Sequence, residues 1–175
     1  PSLNIPTSTL DKMIALSGGS ENDSELNILG ALLCSAPSTM IESVMNRLSM
    51  DGRWIGVGRG IQSIHPYLHK LCDENLYRSQ IHTMLRNVHP SAIKGYANVT
   101  EDNTIRRHLN LYLDVLQHVH PSLNGKDLLT LGVPQGPEIG TLLNQILEAR
   151  LNGELTTREQ EEKLVRCTTV SEPET

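Results

Sequence analysis

Apolar residues in this chain recur at intervals of three and four, and no stretch alternates with period two over several residues. The pattern predicts helices and no sheet. Leu10, Met13 and Ile14 mark a first short helix, ended by Gly18-Gly19. Leu26, Leu29, Leu32 and Leu33 mark a second, and Met40, Ile41, Val44, Met45 and Leu48 a third entered through Pro37. The segment 51–60, DGRWIGVGRG, reads as a glycine-rich break. Ile64, Leu68, Leu71 and Cys72 suggest a further helix, and Ile81, Leu85 and Val88 another before His89-Pro90. Ile105, Leu109, Tyr112, Leu113 and Leu116 make the strongest stripe, from about Asp102 to Val119, closed by His120-Pro121. The expected fold class is all-α, a multi-helix array of short helices ending in a helical hairpin.

The hairpin is the most legible part. Gly132 follows Asp127–Leu131 and can take the left-handed conformation that ends a short helix. Pro137 suits the first position of the next helix. Ile139, Leu142, Leu143, Ile146, Leu147 and Leu151 then form one apolar face up to the stop at Gly153. Thr157 and Gln160 have capping-box spacing and open the last helix. Two readings of Gly132, Gly136, Gly140 and Gly153 stay open. In one they serve turns and close packing, so that a β-branched residue at Gly136 or Gly140 overpacks the hairpin. In the other, free amides at the Pro137 helix start face a phosphate.

A chain of 175 residues holds one domain or two small ones. The division drawn from the pattern is a helical body-like region at 1–90, a tail-like helical domain at 91–167 and a frayed C-terminus at 168–175; one continuous domain is the alternative. Phe is absent, so Leu, Ile, Val and Met must fill the core. No apolar run is long enough to span a membrane. Cys34, Cys72 and Cys167 have no metal-site spacing and read as reduced thiols, which suggests a cytoplasmic protein. Charge is uneven. Residues 1–100 are balanced, and 101–175 carry seven basic and twelve acidic side chains, the whole net charge of −5. That is not the footprint of a protein that coats nucleic acid, so any RNA contact must use a local patch.

Candidate chemistry is sparse. His65, His69 and Cys72 would share a helix face, but Pro66 interrupts them and no fourth ligand is in reach. Gly56-x-Gly58-x-Gly60 with Arg59 lacks the strand and the Gly-Lys-Ser/Thr ending of a nucleotide loop, and reads as a flexible connector. Arg106-Arg107-His108 opens the strongest helix on its polar side, where cations oppose the helix dipole. Phosphate contact or a salt bridge to Glu101 or Asp102 would account for them. Lys126, Arg150, Arg158 and Lys163 are further cations on the following helices. Glu161-Glu162 and Asp73-Glu74 read as solvated faces. No His-Asp pair of a metal-dependent phosphohydrolase is present.

Gly-x-Asp-Leu at 125–128, Leu-Gly at 131–132, Gly-Pro-x-Ile-Gly at 136–140, Glu-Ala-Arg-Leu-x-Gly-Glu at 148–154 and Thr-Arg-Glu at 157–159 form a dense pattern. A looser Arg-x-x-x-x-Tyr-Leu match runs through 106–121. The pattern resembles the C-terminal body and tail region of bacterial tRNA nucleotidyltransferases, the CCA-adding enzymes, and related poly(A) polymerases. The resemblance implies a partner tRNA held by shape, and a catalytic head elsewhere that uses Mg2+ with CTP and ATP. It makes Arg106, Arg107, Lys126, Arg150 and Arg158 the RNA-binding candidates. The head's glycine signature and Asp-x-Asp pair have no counterpart here, so neither a catalytic residue, a metal site nor a cofactor is expected in this chain. A helical protein–protein interaction module without RNA binding is the alternative.

Overall fold

The computed structural model describes Ile28, residues 30–34, 40–43 and 52–170. The expected helix at Leu10–Ile14 lies outside these residues, as do Leu26, Leu29, Val44, Met45 and Leu48. Every regular element among the described residues is helical and none is a strand, so the fold is all-α. No helix among them is long and apolar enough to cross a membrane. The chain divides into two compact units. One holds the described residues up to Leu76 together with Ile81–Gln117, the other Tyr77–Gln80 and the chain from His118 onward.

The first unit corrects the reading of the glycine-rich segment. It is no break but a helix, α1, Gly52–Ile64. Gly60 of this helix, and Gly95 of the later helix Pro90–Val99, lie where another segment comes close. A Cβ at Gly60 would stand 2.7 Å from the Ala92 Cβ, and one at Gly95 would stand 2.8 Å from the Gly30 carbonyl carbon. Such contacts exclude any side chain, and the burial they allow outweighs the helix-propensity cost of glycine, about 1 kcal/mol per residue. Pro66 has no N–H and cannot continue the helix. The chain tightens into a 3-10 turn, His65–Tyr67, before the short α2, Leu68–Leu71. Helix α3, Arg78–Leu85, follows.

Helix α4, Pro90–Val99, escaped the pattern reading because it buries small residues, Ala92, Gly95 and Ala97, around a single large one, Ile93. Pro90 sits at its start, and the His89 imidazole caps it, its Nδ1 accepting from Ser91 N at 3.2 Å. Helix α5, Asn103–Asp114, is capped by Asp102, whose carboxylate accepts from the amides of Thr104 and Ile105. It ends earlier than its stripe suggested, giving way to a 3-10 turn at Leu116–His118. Helix α4 packs against both α1 and α5, and α2 against α5. Val57, Ile61, Ile64, Leu71, Ile93, Leu109 and Leu116 are buried.

In the second unit, α6 (Gly125–Thr130) starts from a capping box. Asn124 accepts from Lys126 and Asp127, and the Asp127 carboxylate accepts from Asn124 N. It ends in a Schellman motif: Val133 N donates to Leu128 O and Gly132 N to Leu129 O, with Gly132 at φ 92°. Val133 and Leu128 are both buried in the same cluster, the apolar contact typical of that cap. Helix α7, Pro137–Asn152, repeats the device at Gly153, φ 82°, where Glu154 N donates to Ala149 O and Gly153 N to Arg150 O. Helix α8, Arg158–Val170, opens as the spacing predicted: Gln160 N donates to the Thr157 hydroxyl oxygen, and the Gln160 side chain accepts from Thr157 N. Leu123, Leu128, Val133, Leu142, Ile146 and Val165 form the core of this unit, with Ile139, Leu143, Leu155 and Leu164 packed against it.

The overpacking expected at Gly136 and Gly140 is absent. A Cβ on Gly140 would meet open space, and one on Gly136 would meet only the movable end of Glu138. Gly136 is extended, at φ 171°.

Candidate nucleic-acid interface

The five cations named from sequence fall in both units. Arg106 and Arg107 lie on α5 in the first, and Lys126, Arg150 and Arg158 lie in the second. Within the first unit Arg106 is committed to backbone. Its guanidinium donates to Ala97 O at 3.2 Å and to Thr100 O, and to the Asn103 side chain at 3.0 Å. Those carbonyls belong to the C-terminal end of α4, where a positive charge is favoured by the helix dipole. The cation that opposes the dipole of α5 therefore complements that of α4. Arg107 is exposed and makes neither an ion pair nor a side-chain hydrogen bond with a described residue. His108, read as part of the polar side, is buried instead, with Nδ1 3.0 Å from Leu71 O. A carbonyl only accepts, so Nδ1 carries the proton there.

In the second unit the arginines are consumed by acids. Arg158 bonds Asp127 at 3.0 Å and Glu162 at 3.2 Å, tying the start of α8 to α6. The Asn124 amide, then Arg158, holds the Asp127 carboxyl below its usual range. Arg150 pairs with Glu161 and donates to the Ser122 hydroxyl at 2.8 Å. Glu161 corrects the solvated-face reading: its side chain is fully buried. The carboxylate also accepts from the amides of Ser122, at 3.0 Å, and Leu123, at 2.9 Å. Burial pushes its pKa up, but the Arg150 guanidinium and the two amides outweigh that and hold it below the ordinary range. A signal existed in the sequence, since Glu161 shares a stripe with Leu164, Val165 and Thr168. Lys126 is exposed and, like Arg107, has no side-chain partner among the described residues.

The start of α7 carries its own anion, since Glu138 lies in the first turn. The cavity beside it, about 310 Å3 and lined by Val133, Pro134, Pro137 and Thr141, has Glu138 as its one ionisable residue among those described. Of the suggested metal ligands, His65 meets the Tyr96 ring edge-on at 6.4 Å and the Cys72 thiol donates to Leu68 O.

The arrangement defines an all-helical protein whose second unit spends Arg150 and Arg158 on internal ion pairs, while Arg107 and Lys126 stay exposed without a side-chain partner among the described residues. A 91-residue stretch, 52% of this chain, is 36% identical to the A-adding tRNA nucleotidyltransferase of Geobacter sulfurreducens. The chain spans about a tenth of that protein's length, 10%. The likeness supports the tRNA nucleotidyltransferase family indicated by the hairpin motif. No family model matches the chain, and no solved structure matches it.

Proposed function

We propose that this chain is a tRNA-holding helical region of a tRNA nucleotidyltransferase, positioning tRNA for 3′-end addition by a catalytic head outside these residues. The 36% identity to an A-adding enzyme carries the reading. Mg2+ and the nucleoside triphosphates would belong to that head. A helical surface can grip folded RNA through its backbone and shape without reading bases. Arg107 and Lys126 are the sequence-named cations whose charge is free for a phosphate, whereas Arg106, Arg150 and Arg158 first serve the fold. The likeness to a nucleotidyltransferase gives the protein–protein module no support.

The test is tRNA binding by the 175-residue chain. Folded tRNA should bind and should outcompete an unstructured RNA of equal length. Arg107→Ala with Lys126→Ala should flatten the salt dependence by about 1.4–1.8 units, at roughly 0.7–0.9 per lost phosphate contact. With labelled ATP or CTP and Mg2+ the chain alone should add nothing to the RNA. Absence of tRNA binding at low salt would overturn the reading.

A further inference from the structure

We propose that a cavity between α1 and the α3–α4 turn of the first unit is a phosphate site for the RNA backbone, with Arg59 and Arg86 as its charged donors. This rests on the tRNA-holding reading and names a site that the hairpin motif does not touch. The cavity is about 360 Å3 and open to solvent. Its floor is one face of α1, where Gly56, Arg59, Gly60 and Ser63 recur at helical spacing. Its wall is the 86–89 segment leading into α4.

Four observations give it anion chemistry. The described lining contains two guanidinium groups and no carboxylate. Arg59 and Arg86 are exposed, and neither makes an ion pair or side-chain hydrogen bond with a described residue, in contrast to Arg150 and Arg158. His89 accepts the Ser91 amide at Nδ1, so its ring proton resides on Nε2 as a donor. That ring edge faces Gly56, where the missing side chain keeps the cavity open: a Cβ there would stand 3.2 Å from the His89 Cδ2. Asn87, whose side-chain amide is a neutral donor, also lines the cavity. Ser63 is not one of the donors, because its hydroxyl proton is committed to Arg59 O at 2.9 Å.

The same lining argues for backbone rather than base. It holds no Tyr or Trp, and its one aromatic ring, His89, turns an edge toward Gly56 and so offers no open face for a base to stack on. Paired guanidinium forks suit the oxygens of a phosphodiester, and the open side lets a chain pass through.

The experiment titrates the full chain with tRNA and, separately, with inorganic pyrophosphate, comparing wild type with Arg59→Ala/Arg86→Ala. Both side chains are exposed, so melting should not change; the Arg59→Lys/Arg86→Lys pair, which keeps charge but loses the forks, serves as a second variant. The expected result is tRNA binding weakened about tenfold in the Ala pair, an intermediate loss in the Lys pair, and a salt slope flatter by about 1.4–1.8 units. Wild-type tRNA binding that the Ala pair leaves unchanged overturns the site and spares the tRNA-holding reading. If the wild type binds no tRNA, that reading falls, and the pyrophosphate arm decides the cavity. Saturable binding lost in the Ala pair then supports a site for free phosphate groups, and no binding overturns it.

Discussion

In the first unit the helices meet through glycine and alanine. Gly60 lies against Ala92 and Gly95 against Gly30, so closeness of backbone does the packing. In the second, a fully buried carboxylate stands between helices, with Glu161 gathering Arg150 and the amides of Ser122 and Leu123. The difference decides where charge is available. Among the described residues the first unit keeps Arg59, Arg86 and Arg107 exposed and without ion pairs, while the second consumes Arg150 and Arg158 internally. Net charge along a sequence therefore misjudges the surface. A cation counts toward a partner only when the fold has not already spent it.

The sharpest way to break the comparison is at Glu161. Glu161→Ala should destabilise the second unit by about 3 kcal/mol, because the buried Leu123 amide, the part-buried Ser122 amide and a largely covered guanidinium lose their acceptor. Hydrogen exchange or urea denaturation read on that unit checks it. A shift below about 1 kcal/mol would show that the carboxylate does not hold the unit together.

The first unit should respond to bulk rather than charge. Gly95→Val should cost about 2 kcal/mol by overpacking, since its Cβ meets backbone of Gly30 and Ala31 that cannot swing aside. Unchanged melting would deny the close approach.

Two glycines of the second unit should move in opposite directions. Gly153→Ala should cost about 1 kcal/mol at its left-handed φ of 82°. Gly140→Ala, in open space within a helix, should gain about 0.5–1 kcal/mol. Thermal midpoints of the two variants test the pair, and a loss at Gly140 would restore a packing role for it.

The smallest effect is a pH dependence. The Glu161 pKa is lowered from its ordinary 4.5, so its contribution is complete above that value and is lost as pH falls through the depressed folded value. Asp102 and Asp127, both held low by amide hydrogen bonds, share the acid limb. The share of Glu161 is therefore read as the difference between wild type and Glu161→Gln. In the variant the acid-side loss should be shallower, and identical curves would show that the carboxylate does not titrate with unfolding.

Large apolar residues at helical spacing, and caps made by neighbours in sequence, were legible from residues alone. The α7 stripe, the Gly132 and Gly153 stops and the Thr157–Gln160 box all work within a few residues, so local geometry specifies them. Helix α4 was not legible, because small residues carry no strong stripe; their value lies in what approaches them. The DGRWIGVGRG segment misled for the same reason. Glycine breaks an isolated helix, yet here it is the residue that lets α1 meet α4. The cavity at Arg59 was hidden as well, since Arg59 and Arg86 lie far apart in sequence and only packing brings them to one cavity.

By itself, then, the sequence determined the all-helical class, the ends of the hairpin helices and the likeness to a nucleotidyltransferase, each a matter of short-range periodicity or local pattern. Tertiary structure alone decided which charges are buried, paired or exposed. Glu161 and Glu162 are neighbours in sequence, yet one lies in the core and the other on the surface with Arg158. Burial and pairing depend on contacts between distant segments, and those contacts set the electrostatics that a partner meets.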